Sequence, residues 1–158
     1  MGPDDCVFCA LYAGEGEAST VYRDEYLMAA MTVRPAHAGH VLLFPARHVE
    51  DIALLGPAEL ARLFRVAAEL RTAIAQAMGC EGFQLLVNHG AATGQKPNCR
   101  HLHVHLIPCR ESPATSEKQP AANAPRRELD EAARKIAERL SLTGETREAH
   151  TPPTGVAQ

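Results

Sequence analysis

The sequence predicts one domain of mixed α and β structure, with short strands and two helices around a common core. The segment from Arg100 to Pro108 alternates between histidine and apolar residues, which is the period of a half-buried strand. The segment from Pro57 to Met78 repeats apolar residues at steps of three and four, which is the period of an amphipathic helix. A chain of 158 residues is long enough to bury one sizeable core.

The N-terminal part of the chain predicts short strands separated by turns. A helical turn is expected around Phe8 to Tyr12. Two strand candidates, Thr20 to Arg23 and Tyr26 to Thr32, meet at Asp24-Glu25 and are interpreted as a hairpin. A further buried strand is expected from His40 to Pro45, where the proline ends it.

The clearest element is the helix from Pro57 to Met78. Proline is favoured at the first helical position, and glycine, here Gly79, directly after the last one. The helix is expected to pack on the sheet and to carry no chemistry; its apolar stripe contains Leu60, Leu63, Phe64, Ala67, Leu70, Ile74 and Met78. The next segment, Phe83 to Val87, alternates poorly and is expected to be a strand buried on both faces.

The chain changes character after residues 1–110, which form the predicted domain core. Residues 111–125 are rich in Pro, Ser, Ala and charge and are predicted to be a mobile loop. Residues 126–142 return to a helical pattern and are expected to pack on or near the core through Leu129, Ala132, Ile136 and Leu140. Residues 143–158 are predicted to be a disordered tail.

Charge and composition argue against several classes of protein. A net charge of -3 gives no basic surface for duplex nucleic acid. No apolar run approaches the length of a membrane span, and the N-terminus lacks the layout of a signal peptide, so a cytoplasmic location is expected. Without a secretory signal, the five cysteines of the sequence are expected to be thiols or metal ligands rather than disulfides.

Three histidines in the alternating segment are the strongest functional signal. On a strand, His101, His103 and His105 share one face, while Leu102 and its apolar neighbours anchor the other face in the core. Imidazole titrates near neutral pH, carries a nucleophilic nitrogen and binds metals, so catalysis and metal binding are the leading hypotheses. The alternative is a polar strand edge that carries histidine without a function.

Two other patterns point to ligands. Cys6 and Cys9 form a C-x-x-C pair with three open interpretations: a redox pair, half of a metal site, or coincidence. Half of a zinc site is favoured, because no thioredoxin-like unit follows the pair. The loop from Asn88 to Gln95 lies directly before the histidine segment. Its backbone N–H groups can bind an anion, although a hairpin loop without a ligand has the same composition.

The segment His101-Leu-His103-Val-His105-Leu-Ile resembles the signature of the histidine triad (HIT) family, in which three histidines alternate with apolar residues. Other stretches match in the right order between about Cys6 and Arg110: the C-x-x-C pair, Val21-Tyr-Arg-Asp, Pro35 through His40-Val-Leu, Pro45-Ala-Arg-His48-Val, Asn88-x-Gly90, and Gly94-Gln95. The chain resembles the bacterial nucleoside phosphoramidase and dinucleoside polyphosphate hydrolase branches. The resemblance implies an α+β, HIT-like fold with an antiparallel sheet, one long packing helix and a C-terminal helix, assembled as a homodimer.

The resemblance also implies a nucleotide hydrolase that acts at the α-phosphate of a nucleoside phosphoramidate or a dinucleoside polyphosphate. His103 corresponds to the nucleophile, which forms a covalent histidyl–nucleotide intermediate that water then hydrolyses. His105 corresponds to the residue that donates a hydrogen bond toward the leaving atom, and His40 to a histidine of the phosphate pocket. Positions near the ribose and phosphates correspond to Asn88, Gly94 and Gln95.

In family members with a C-x-x-C pair, the resemblance implies a structural zinc ion and no catalytic metal. The four ligands correspond to Cys6, Cys9, His48 and His101. Two thiolates and two imidazoles make a closed tetrahedral set. His101 is thereby given a role distinct from that of the other two triad histidines.

The residues at the positions of the family's substrate contacts depart from the family pattern. Ala30 and Thr32 stand where members commonly carry an aromatic and an acidic residue, and the acidic residue often binds the ribose hydroxyls. The spacing from Gln95 to His101 is also longer than usual. Two alternatives stay open: a nucleotidyl transferase, although such relatives carry Gln in place of His105, and a non-catalytic, zinc-stabilised module that binds nucleotides or partners.

Overall fold

The structure is a computed structural model that describes residues 6–90, 100–109 and 123–147. The elements along these residues are α1 (Val7–Ala13), β1 (Thr20–Arg23), β2 (Leu27–Met31), β3 (Val41–Pro45), α2 (Pro57–Met78), β4 (Gly82–Val87), β5 (Val104–Cys109) and α3 (Arg126–Arg147). A short 3-10 turn, Ile52–Leu54, precedes α2. Across the described residues, no helix combines the length and the apolar character that crossing a membrane requires.

The strands form one antiparallel sheet in the order β1-β2-β3-β5-β4. The predicted hairpin of β1 and β2 is present, and β2 continues the sheet by pairing with β3. Although β5 comes last in the chain, it is inserted between β3 and β4, where Val104 pairs with Leu43 and Leu106 with Leu85. The predicted α+β class, with an antiparallel sheet and a long packing helix, is confirmed.

Alternation along the strands gives the sheet two different faces. The helix face carries residues such as Leu43 and Leu106, which are buried in the main core beneath α2 and α3. The opposite face, called here the α1 face, carries Met28 and Phe44, which pack with Phe8 of α1 in a smaller apolar cluster. Neighbouring residues of one strand therefore belong to different cores, as the period of two requires.

The helix α2 begins and ends where the sequence predicts. Pro57 is its first residue, and Gly79 follows its last turn with φ 63°, a left-handed conformation that glycine adopts without strain. Leu63 and Leu70 of the predicted stripe are fully buried, but Phe64 is 43% exposed. Phe64 lies roughly 100° around the helix from Leu63, so it misses the stripe that faces the sheet.

The helix α3 covers the part of the helix face that α2 leaves open. It packs against α2 and β1, and its Ile136 is fully buried. The prediction ended this helix too early, at Leu142, because the helix continues to Arg147. Gly144 lowers helix propensity but keeps its backbone N–H, so helical hydrogen bonding can continue through it. The rest of the predicted tail, 148–158, and the predicted mobile loop up to residue 122 lie outside the described residues.

The strand β4 lies at an edge of the sheet, and the expectation that it is buried on both faces is wrong. Leu85 is 48% exposed and Leu86 is 45% exposed. In the part of the chain that the structure describes, β4 pairs with β5 alone, which leaves its other edge unpaired. Its poor alternation therefore reflects apolar side chains on both faces of an edge strand rather than burial in the middle of the sheet.

The strand β5 begins at Val104, later than the predicted start at Arg100. The reason is its neighbour β4, which ends at Val87, the partner of Val104, so the residues before Val104 have no strand beside them on that side. They are held instead by the Leu102 backbone N–H, which donates to the Val49 carbonyl at 2.6 Å. Leu102, Val104 and Leu106 all reach the main core, as the alternation predicts.

Candidate active site and metal-binding cluster

The three histidines of the alternating segment line the α1 face of the sheet. His101 and His103 come just before β5, and His105 lies within it. The ring centroids of His103 and His105 are 4.8 Å apart, so the two imidazoles are neighbours. His101 and His103 are buried, whereas His105 is partly exposed. The row therefore runs from the protein interior toward solvent.

One hydrogen bond fixes which nitrogen of His103 can react. Its Nδ1 lies 2.7 Å from the backbone carbonyl oxygen of His101. Because a carbonyl oxygen only accepts, Nδ1 carries the proton and donates it, and Nε2 of the neutral ring keeps a free lone pair. Burial lowers the pKa of His103, and the hydrogen bond to His101 opposes this effect only in part. The ring is therefore neutral at pH 7 and presents a nucleophilic nitrogen.

A second chain of hydrogen bonds orients His105. The backbone N–H of Ala36 donates to Nδ1 of His40 at 3.1 Å, so the proton of neutral His40 is on Nε2. That Nε2 lies 3.0 Å from Nδ1 of His105 and donates to it. The remaining nitrogen of His105, Nε2, therefore carries a proton that it can donate to a ligand.

Burial keeps both members of this chain uncharged. It lowers the pKa of His40 to about 3, and the neighbouring His105 adds to the effect. It lowers the pKa of His105 to about 4, with a further contribution from His103. At pH 7 the site thus places a neutral N–H donor beside a nucleophilic imidazole.

Cys6, Cys9, His48 and His101 form a cluster on the same face of the sheet. One ligand atom from each residue lies within 4.8 Å of all the others. The Cys6 Sγ is 3.4 Å from Nδ1 of His101, and the Cys9 Sγ is 3.4 Å from Nδ1 of His48. The structure thus brings together the four predicted metal ligands from α1, from the segment after β3 and from the segment before β5.

The donor set and its spacing fit a tetrahedral zinc ion. Zinc bonds of about 2.3 Å to sulfur and about 2.0 Å to nitrogen place neighbouring donors about 3.5 Å apart. The sulfur–nitrogen distances in the cluster are 3.4 and 3.6 Å. Burial, followed by the neighbouring Cys6, raises the pKa of Cys9 to about 11. A cation is therefore needed to hold this thiol as a thiolate at pH 7.

The outer nitrogens of the two cluster histidines differ in their surroundings. Nε2 of His101 donates to the Pro45 carbonyl at 2.9 Å, which leaves Nδ1 unprotonated and directed at the thiols. Nε2 of His48 is buried without a hydrogen-bond partner among the described residues, and the Glu50 carboxylate is 3.7 Å away. His101 is therefore fixed as a ligand more firmly than His48.

The predicted substrate-binding residues are described only in part. Asn88 directly follows β4 and is partly buried. Gly94 and Gln95 lie outside the described residues. Ala30 is buried in the apolar cluster of the α1 face, so the small residue at this position packs against the protein rather than lining an open surface.

Sequence reasoning missed Phe8. Its ring stacks on the His103 ring, with centroids 4.7 Å apart and an interplanar angle of 28°. The sequence contains one indication of this contact: Phe8 lies between Cys6 and Cys9, so it must be close to the site where the two thiols bind. A phenylalanine in a short helix otherwise indicates packing alone.

Comparison with known proteins identifies the family. Residues 13–112 match the family model described as the HIT domain. This chain belongs to the histidine triad (HIT) family. The matched residues include the whole sheet, α2 and the histidine row, whereas Cys6 and Cys9 precede them. Family membership supports nucleotide-binding or hydrolase-type activity in general.

Relatives of this HIT domain occur in distant organisms. Adenylylsulfatase HINT3 of Arabidopsis thaliana is 34% identical over 108 residues, which cover 68% of this chain and 54% of the relative. The chain thus spans about half the length of that relative. Protein HitA of Neisseria gonorrhoeae is 34% identical over 105 residues, which cover 66% of this chain and 95% of HitA.

Solved HIT structures have the same fold. A Zn-bound histidine triad family protein from Mycobacterium smegmatis has a TM-score of 0.76 and 27% identity, covering 92% of this chain and 99% of that chain. A hypothetical histidine triad nucleotide-binding protein from Sulfolobus tokodaii has a TM-score of 0.81 and 27% identity, covering 94% of this chain and 100% of that chain. The predicted HIT-like fold is confirmed.

We expect the free energy of unfolding to fall as the pH drops from about 6.5 toward 3, because the unfolded chain binds protons that folded His40 and His105 exclude. The replacement His40→Gln removes one such group. It should make the dependence of stability on pH less steep, by up to about 1.4 kcal/mol per pH unit. Urea denaturation at a series of pH values, with a chelator present to remove metal effects, measures this slope.

The variant Leu43→Ala is the control, since it removes buried apolar surface on the same sheet without removing a titrating group. It should lower stability by a similar amount at every pH. Parallel curves for His40→Gln and wild type would contradict the exclusion of protons by His40.

Proposed function

We propose that the protein is a nucleotide hydrolase that cleaves at the α-phosphate of a nucleoside phosphoramidate or a dinucleoside polyphosphate through a covalent histidyl–nucleotide intermediate on His103. The observation that carries the proposal is the hydrogen bond from His103 Nδ1 to the His101 carbonyl, 2.7 Å long, which leaves Nε2 free to attack. A neutral imidazole fixed in one tautomer is a competent nucleophile at pH 7.

In the first step, the Nε2 lone pair of His103 forms a bond to the α-phosphorus while the bond to the leaving group breaks. The leaving group departs with the electron pair of the broken bond, and His105 donates a hydrogen bond from its Nε2–H to the departing atom; His40 holds the required tautomer through its 3.0 Å hydrogen bond. In the second step, water attacks phosphorus, the N–P bond breaks and its electron pair returns to Nε2, which restores neutral His103; the proton that water loses neutralises the departed group. The His101 carbonyl stabilises the positive charge that the ring carries while it is bonded to phosphorus.

The nucleotide contacts are part of the same proposal. Asn88 and the backbone of the following loop, including Gly94 and Gln95, bind the ribose and phosphates. Ala30 and Thr32 offer neither an aromatic ring nor a carboxylate to the nucleoside. One relative bears the name adenylylsulfatase, so adenylyl sulfate is a third candidate substrate beside the two classes above.

The first prediction of the proposed mechanism is a covalent adduct. Brief mixing with an adenosine phosphoramidate, a dinucleoside polyphosphate or adenylyl sulfate should add the mass of one nucleotidyl group to the chain. His103→Ala should abolish the adduct and lower the rate of product release by at least about a thousandfold, because the nucleophile is lost. Rapid-quench mass spectrometry of the intact protein measures the adduct.

Arg134→Ala is the control, since this side chain is exposed on α3, which packs on the helix face of the sheet, opposite the triad. It should form the adduct at the rate of the wild-type protein. Turnover without a trapped adduct in any substrate class, or turnover that survives His103→Ala, would contradict the covalent route. Binding without turnover would favour the non-catalytic alternative.

We also propose that Cys6, Cys9, His48 and His101 bind a structural zinc ion. The protein should contain about one zinc ion per chain, and a chelator should lower its unfolding temperature, because a ligand that binds only the folded state stabilises it. Cys9→Ala should lose most of the zinc and most of the sensitivity to the chelator. Elemental analysis and thermal unfolding measure the two effects.

Cys80→Ala provides the control, because Cys80 is a buried thiol that does not belong to the metal-binding cluster. Its zinc content should equal that of the wild-type protein. Equal zinc contents in Cys9→Ala and Cys80→Ala would mean that the cluster does not hold the metal.

The unpaired edge of β4 supports the homodimer, which we propose as the assembled form. The Phe83 ring lies beside the Arg71 guanidinium of α2, at 6.0 Å, so Phe83 and Leu85 point to the helix face. Phe64 of α2 is exposed on that side as well. A second copy that pairs its β4 with this edge would extend the sheet and cover these apolar side chains.

The replacements Leu85→Lys and Phe64→Glu should convert the dimer to a monomer, since they bury charge in the contact. Leu54→Lys, at another exposed leucine, should leave the dimer intact. Light scattering coupled to size-exclusion chromatography gives the mass in each case. A monomeric wild-type protein, or dimers in all three variants, would contradict an interface at β4 and α2.

A further inference from the structure

The metal-binding cluster and the nucleophile share one residue, His101. The His101 side chain places Nδ1 3.4 Å from the Cys6 Sγ, while its backbone carbonyl accepts the hydrogen bond from His103 Nδ1. Its ring is also fixed by the hydrogen bond that Nε2 donates to the Pro45 carbonyl. Any shift of His101 therefore moves the acceptor that determines which nitrogen of His103 is free.

A second contact joins the same two sites through Phe8. Phe8 lies between Cys6 and Cys9 in α1, is 4% exposed, and stacks on the His103 ring at 4.7 Å and 28°. Its other neighbours are the rings of Phe44, at 4.8 Å, and His101, at 5.4 Å. One face of the nucleophilic ring is therefore covered by a side chain whose helix is anchored by two of the metal ligands.

The helix α1 depends on its attachments for its position. It is 7 residues long and has no side-chain hydrogen bond at its N-cap, Cys6. A helix this short is not stable in water on its own. Its C-terminal end is attached to the hairpin, because the Tyr12 hydroxyl donates to the Asp24 carbonyl at 2.9 Å and Arg23 donates to the Tyr12 carbonyl at 2.7 Å. Its N-terminal end is attached through the thiols of Cys6 and Cys9, two of the proposed metal ligands.

We propose that Phe8 is a positioning residue through which the metal-binding cluster fixes the plane of the His103 ring. The metal ligands Cys6 and Cys9 hold Phe8 against one face of the His103 ring. The backbone carbonyl of the ligand His101 holds the Nδ1 edge of that ring. The proposal rests on the proposed zinc site and on the proposed role of His103. It gives the cluster a consequence for the reaction beyond stability, since a nucleophile must point at phosphorus within narrow limits.

Three substitutions separate positioning from ordinary packing. Phe8→Leu keeps an apolar side chain but removes the flat ring, and Phe8→Tyr restores the ring. Phe44→Leu removes a buried ring from the same apolar cluster, where the Phe44 ring contacts the rings of Phe8 and His101. Phe8→Leu and Phe44→Leu should therefore cost similar stability, whereas only Phe8→Leu removes the ring that stacks on His103.

The first readout is NMR of the histidine rings in zinc-loaded protein, with His103 assigned by the signals that vanish in His103→Ala. In wild type, His103 should show one Nδ1–H tautomer and ring protons shifted by the stacked Phe8 ring. Phe8→Leu should remove that shift and broaden the His103 signals, Phe8→Tyr should restore both, and Phe44→Leu should leave them in place. His48→Ala, which removes a proposed metal ligand that contacts His101 and Cys9, should also broaden them.

The second readout is the single-turnover rate of adduct formation with the adenosine phosphoramidate. Phe8→Leu should lower the rate constant by about 10- to 100-fold with little change in the half-saturating concentration, as expected for a misaligned nucleophile. Phe8→Tyr should recover most of the rate. A raised half-saturating concentration at an unchanged rate would mean that Phe8 contacts the nucleotide instead, and would overturn the positioning role.

The outcomes distinguish this inference from the functions on which it rests. If His103 ring signals stay unchanged in Phe8→Leu, in His48→Ala and in chelator-treated wild type, positioning by the cluster is wrong, even where adduct formation confirms the reaction. If no adduct forms but the ring signals respond as described, the coupling is present and the proposed reaction is wrong. If Phe8→Leu does not fold, the His103 ring signals of chelator-treated wild-type protein still test whether the cluster positions the ring.

Discussion

The hydrogen bond from His103 to the carbonyl of His101 is the constraint on which the site depends. A side chain reaches the carbonyl two residues earlier only if the backbone between them is extended, so the segment cannot be helical. Extended backbone in turn directs Leu102 into the main core and both imidazoles to the other side. The tautomer of His103, the burial of Leu102 in the main core and the direction of the His101 ring toward the thiols thus follow from one local geometry.

Much of the fold could be predicted because its signals are local. Pro57 and Gly79 mark the ends of α2, and the alternation from His101 to Leu106 determines which side chains reach the core. The exposure of Leu85 could not be predicted in the same way, because a run of apolar residues is compatible with both a central strand and an edge strand. Only the order of the strands, which depends on contacts distant in sequence, separates the two.

The candidate site was predictable as a set of residue types but not as an arrangement. The triad pattern and the C-x-x-C pair indicate where imidazoles and thiols are concentrated, and the resemblance names their partners. The hydrogen bond between His40, directly before β3, and His105 of β5 spans 65 positions of sequence, and no local pattern encodes it. The stack of Phe8 on His103 is likewise a product of packing between α1 and the sheet.

Three of the four residues of the metal-binding cluster, Cys6, Cys9 and His101, come from the two ends of the domain core. Cys6 and His101 are separated by 95 positions, so an ion bound by both could bridge them only after almost the whole domain core has been synthesised. During translation the N-terminal segment can form its contacts with the hairpin earlier, through Tyr12 and Arg23, but its thiols meet His101 only when the last strand of the sheet is in place. If the proposed zinc ion binds there, its binding by all four residues marks a completed fold, because a chain truncated before β5 lacks His101.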